Sequence, residues 1–121
     1  MDDWKLGAVE SRFADILWQR APLSSGELVK ICERELSWKK STTYTVLKKL
    51  CERGLFQNKD GLVSVCIGRE EFYARQSEQV VEESFDGSLP AFVAAFTRRK
   101  KLSEEEVAAI LQMIEGGGGE G

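Results

Sequence analysis

A chain of 121 residues, 42% hydrophobic and 31% charged, has material for one compact domain or two small ones that share surfaces, which excludes a large enzyme scaffold. Its 17 Lys and Arg stand against 20 Asp and Glu for a formal net charge of -3, and it has no histidine, so histidine-dependent catalysis and imidazole metal ligation are excluded. The most apolar stretch, Leu89 to Phe96, contains Pro90 and falls far short of the roughly 20 residues that cross a bilayer. Asp2 and Asp3 stand where a secretory leader would be basic, and the cytoplasm is the expected compartment.

Val9, Phe13, Ile16 and Leu17 recur at four- and three-residue offsets and predict a first helix from Ala8 to Gln19, broken at Pro22. Ser24 and Glu27 form a capping-box pattern before a second helix, Ser25 to Glu35, with Leu28, Ile31 and Cys32 inward. A third helix is read over Lys40 to Glu52, with Thr43, Val46, Leu47, Leu50 and Cys51 on one side and Ser41, Tyr44, Thr45, Lys48 and Lys49 on the other. Gly54 is its left-handed terminator. Segments 55–58 and 62–67 then read as a hairpin about Lys59, Asp60 and Gly61, because Asp-Gly tolerates the positive φ of a tight turn.

Three more helices follow: Glu70 to Phe85, a fifth opened by Ser88 and Pro90, and a sixth opened by the capping-box pair Ser103 and Glu106. Their apolar positions are Tyr73, Val80 and Val81, then Leu89, Phe92 and Phe96, then Val107, Ile110, Leu111 and Ile114. Three helices of this size enclose little interior of their own. These residues are therefore expected to pair two chains in a homodimer, the alternative being that they fold back on the first domain.

The fold class is thus mainly α with a small β-hairpin. It comprises a winged helix-turn-helix over residues 1–68, a three-helix homodimerisation domain over 69–115 and a flexible tail over 116–121. Cys32, Cys51 and Cys66 lack the paired spacing of a metal site. They read as free thiols, buried or reactive, and no metal or cofactor is expected.

Charge is distributed unevenly. Residues 38–61 carry six basic and two acidic groups, whereas residues 1–37 carry five and seven, so a weakly acidic chain can present one basic face to a polyanion. Three helices followed by a hairpin is the order in which the third helix enters a DNA major groove. On that face Thr42, Tyr44 and Thr45 are candidate base or groove contacts, while Lys39, Lys40, Ser41, Lys48 and Lys49 are candidate backbone contacts. The alternative is that the threonines merely cap or solvate the helix and that Tyr44 simply covers it. Four lysines on phosphates imply a double-logarithmic salt slope of roughly 3 to 4 per protomer. Trp18 and Trp38 are expected in the core, and Trp4 packs over the domain, reaches DNA or meets a partner chain.

The stretch Trp38 to Gly54, WKKSTTYTVLKKLCERG, resembles the penicillinase and methicillin-resistance repressor family through Trp38, Thr42, Thr45, Leu47, Lys49, Leu50 and Arg53-Gly54. Leu6 to Trp18, Gly87-Ser88-Leu89 and Lys101-Leu102-Ser103 follow the same pattern. The resemblance implies a repressor that binds a two-fold symmetric DNA operator as a homodimer, with Thr42 and Thr45 toward DNA, and an upstream sensor or protease that releases it by cleavage. This chain departs from the family in carrying Ala95-Phe96 where staphylococcal members have asparagine and phenylalanine. It also has no cysteine after Cys66, unlike the copper-responsive branch, and a shorter, less tyrosine-rich wing. An enzyme would need a nucleophile, base and orienting group that the pattern lacks. A winged-helix protein-interaction module without specific DNA binding is the competing function.

Overall fold

The computed structural model describes residues 4–117. Within them the order is α1 (Ala8–Arg20), β1 (Leu23–Ser24), α2 (Ser25–Leu36), α3 (Lys40–Glu52), β2 (Phe56–Lys59), β3 (Leu62–Val65), α4 (Arg69–Phe85), α5 (Leu89–Arg99) and α6 (Glu104–Gln112). A π-helical turn, Met113–Gly117, continues α6. The fold is a winged helix-turn-helix followed by further helices. None of the described helices is long and apolar enough to cross a membrane.

The contacts divide the chain into one unit ending at Gln79 and another beginning at Val80. In the first, Phe13, Leu17, Leu28, Leu47, Leu50, Leu55, Phe56, Val63 and Phe72 form a fully buried core, each worth about 1.5–3 kcal/mol of apolar burial. Phe72 comes from α4. The expected division after Gly68 therefore falls just before a helix whose first half completes the winged-helix core. Trp18 lies against Phe56, Phe72 and Tyr73, and its indole N–H donates to the Ile67 carbonyl at 3.0 Å. Trp38 stacks on Phe13 with ring centroids 5.4 Å apart. Trp4 packs on α4: its ring is 5.7 Å from Phe72, and its backbone bonds to Gln76 and Gln79.

Three local expectations need correction. Val9 is 55% exposed, because the α1 stripe is buried only from Phe13 onward while Trp4 and Leu6 pack against the core. The sheet has three strands in the order β1-β3-β2, all antiparallel, with Leu23 opposite Val63 and Phe56 opposite Val65. Two-residue β1 is too short to show alternation in sequence. The Ser24 capping box is half formed: Ser24 Oγ accepts from the Glu27 N–H, but its hydroxyl donates to the Glu27 carboxylate, while the Ser24 backbone belongs to β1.

The turn signals hold. Asp60 and Gly61 take φ of 53° and 82°, and Gly54 takes 82° after α3, the left-handed region that a two-residue hairpin loop and a helix terminator require.

In the second unit, Ser88 Oγ accepts from the Ala91 N–H to start α5. Ser103 and Glu106 form a complete capping box on α6, with bonds of 2.9 and 3.0 Å. Of the expected tail, Gly116 and Gly117 belong to the π-helical turn, and 118–121 lie outside the described residues.

Candidate nucleic-acid interface

The connection between α2 and α3 is tight because Ser37 adopts a left-handed conformation and the Trp38 N–H closes onto the Cys32 carbonyl at 3.2 Å. The Trp38 ring on Phe13 then fixes where α3 begins. Buried Thr43, Leu47 and Leu50 hold its inner side. Thr43 bonds back to the Lys39 carbonyl and also reaches Cys32, whose thiol is nevertheless pushed up by burial.

That anchoring leaves Lys39, Lys40, Ser41, Thr42, Thr45, Lys48 and Lys49 exposed on one continuous side. The two threonines differ in a way that spacing alone does not reveal. Thr45 Oγ1 donates to the Ser41 carbonyl at 2.9 Å, which leaves its lone pairs and methyl outward. The Thr42 hydroxyl has no hydrogen-bond partner among the described residues and is available both to donate and to accept.

Tyr44 is half-buried, and its hydroxyl donates to Ser25 Oγ at 3.1 Å. The Ser25 N–H in turn donates to the Gly61 carbonyl at 2.8 Å, so Ser25 joins α3 to the hairpin tip. In the sequence Ser25 is only the first residue of the second helix, since a serine beside a capping serine carries no distinctive signal of this bridging role. Lys59, not among the expected contacts, stands exposed next to the turn, and its only sequence signal is membership of the basic 38–61 block. Lys49 is engaged by Glu10 of α1 at 3.0 Å. The Glu10 carboxyl is held below its ordinary value, first by the Gly7 N–H and then by Lys49.

Between α3 and β2 an open groove of about 380 Å³ is lined by Tyr44, Leu47, Lys48, Cys51 and Asn58. On the hairpin, Leu62 and Val65 are exposed and Gln57 bonds to Ser64. No group of three or more Cys, Asp and Glu is placed to hold a metal ion among the described residues. The arrangement offers lysine charges, free hydroxyls and a hairpin flank to an extended polyanion.

The residues expected to pair two chains are divided by the structure. Tyr73 belongs to the first unit: it lies edge-on to Trp18, shares a hydrogen bond with Ser11 and sits under Arg69. Val80 and Val81 are half-buried. Phe92 is half-buried between Phe85 and Phe96, whereas Leu89, Phe96, Val107, Ile110, Leu111 and Ile114 are exposed, along with Val93 and Met113. Neither α5 nor α6 has a fully buried residue. Ala95-Phe96 lies within α5.

Residues 6–116 match the family model described as penicillinase repressor. Among curated proteins, the penicillinase repressor of Bacillus licheniformis is 24% identical over 115 residues, covering 92% of this chain and 90% of that protein.

Proposed function

The chain belongs to the penicillinase repressor family, and from that premise we propose that it is a transcriptional repressor, not an enzyme, that binds a specific double-stranded DNA operator. The observation that carries this reading is the exposed side of α3. Thr42 and Thr45 stand outward at its centre and Lys39, Lys40 and Lys48 border them, while the opposite side is locked into the core. A helix so mounted fits a major groove, with hydroxyls at base edges and ammonium groups on phosphates. Tyr44 contributes by fixing α3 to Ser25, and Lys59 extends the phosphate contacts along the hairpin.

We propose further that the protein acts as a homodimer on a two-fold symmetric site. The support is the apolar side of α5 and α6, where Phe96 is 47% and Ile110 42% exposed. A two-fold contact covers the same patch on both copies at once. Phe92, Val93, Phe96, Leu102, Glu106 and Ile110 line a groove of about 270 Å³ that can receive such a contact.

Selection of bound fragments from genomic DNA, followed by competition against random duplex, tests the first statement. The expected result is a recurring two-fold motif preferred by about 10³-fold or more. Equal affinity for all duplexes would leave the interaction-module reading in its place. Sedimentation equilibrium tests the second, with a dimer at micromolar concentration expected.

A further inference from the structure

The corner between α5 and α6 carries two charge blocks that the DNA-reading surface does not use. Arg98 and Arg99 end α5, Lys100 and Lys101 follow directly after it, and Glu104, Glu105 and Glu106 open α6. All seven are exposed. Cations at a helix C-terminus and carboxylates at an N-terminus each complement the local dipole, which accounts for their presence on those helices and not for their lack of mutual contact. Only Leu102 and Ser103 separate the blocks in sequence, yet among the described residues no ion pair joins them. Glu106 turns one oxygen to the Ser103 N–H.

Each block continues an exposed apolar row. Arg99 lies three residues beyond Phe96 on α5, and Glu104 and Glu106 lie three and four residues ahead of Val107 and Ile110 on α6, the spacings that share one side of a helix. A second copy covering the apolar rows about an axis close to this corner brings its own two blocks to it. Two-fold symmetry then permits two outcomes: like blocks face each other, or each basic block faces an acidic one, twice. The first is disfavoured by like-charge repulsion.

We propose that the Arg98–Lys101 block of one copy docks on the Glu104–Glu106 block of the other, reciprocally, so that the two α5–α6 corners meet near the symmetry axis and select a second copy of this chain. The inference rests on the homodimer reading and adds to it the register and the self-selection. Duplex DNA is the weaker candidate for the basic block, because residues 80–117 hold seven carboxylates beside these four cations.

The full-length chain supports a direct test with two charge-reversed variants. R98E/R99E/K100E/K101E makes the corner acidic throughout, and E104K/E105K makes it predominantly basic while leaving the Glu106 cap intact. By sedimentation equilibrium at low ionic strength, each variant alone is expected to self-associate about tenfold or more weakly than the parent. An equimolar mixture is expected to recover the lost association by forming a heterodimer, and added salt is expected to weaken the parent dimer. If circular dichroism shows that the glutamate variant has lost helix, R98Q/R99Q/K100Q/K101Q reads the same contact without repulsion, with weakened self-association again expected. A parent dimer unaffected by any of these changes overturns the corner contact and leaves the homodimer standing, whereas a monomeric parent overturns both. An unchanged dimer combined with a shallower salt slope for duplex binding assigns the basic block to DNA phosphates and overturns the proposal.

Discussion

Lys49 Nζ lies 3.0 Å from Glu10 Oε2, so α3, the helix proposed to meet DNA, is ion-paired to the first helix of the same unit. Folding holds the Glu10 carboxyl below its ordinary value of 4.5, with the Gly7 N–H contributing most. Its contribution to stability is therefore complete above that ordinary value and is lost as the pH falls through the lowered one. Thermal melts of Glu10→Gln are expected to lack this part of the acid-side decline seen in the parent. The same change releases Lys49 toward a duplex and is expected to raise the salt slope of binding by about 1.

Removing the Thr42 hydroxyl has a different expected consequence from removing that of Thr45. Thr42→Val deletes a hydroxyl without an internal partner, whereas Thr45→Val deletes one already donating to Ser41. Competition binding is expected to show Thr42→Val losing preference for the operator over random duplex by about 1–3 kcal/mol, with a smaller loss for Thr45→Val. Equal losses on both duplexes would reduce these residues to general backbone contacts.

Trp18 is the hinge of the aromatic core, touching Phe56, Phe72 and Tyr73 while bonding to Ile67. Urea unfolding of Trp18→Ala is expected to show a loss of about 3–5 kcal/mol. Trp18→Phe keeps much of the ring packing and is expected to lose less, with the indole hydrogen bond accounting for about 1 kcal/mol. Because Phe72 and Tyr73 lie on α4, both variants should also loosen that helix, detectable as faster amide exchange around residue 72.

Thiol labelling should proceed in the order Cys66, Cys51, Cys32. Cys66 is exposed, Cys51 is half-buried and Cys32 is buried, and burial pushes the thiols of the latter two up, lowering the thiolate fraction that reacts. Mass spectrometry after brief alkylation at neutral pH is expected to find one modified residue, with Cys32 joining only in denaturant.

Helix α3 was legible to its last residue because its inner apolar spacing, its neighbouring tryptophan and Gly54 all agree on the same boundaries. The hairpin loop was legible through Asp60-Gly61. Pairing between distant segments was not. Leu23 opposite Val63, Lys49 on Glu10 and Phe72 in the first core depend on how elements are packed, and no local pattern at these residues names the partner. Tyr73 illustrates the limit: its helical position fits an apolar row, while the ring contacts that occupy it come from Trp18, 55 residues earlier.

Ser25 receives the Tyr44 hydroxyl on its side chain and gives its amide proton to Gly61. One small residue thus sets the gap between the helix and the hairpin before any duplex arrives. Little conformational freedom is left to surrender on association, and preorganisation of this kind favours binding by lowering its entropic cost. On the proposed reading, a duplex groove would have to fit a gauge of fixed width before the α3 hydroxyls could read it.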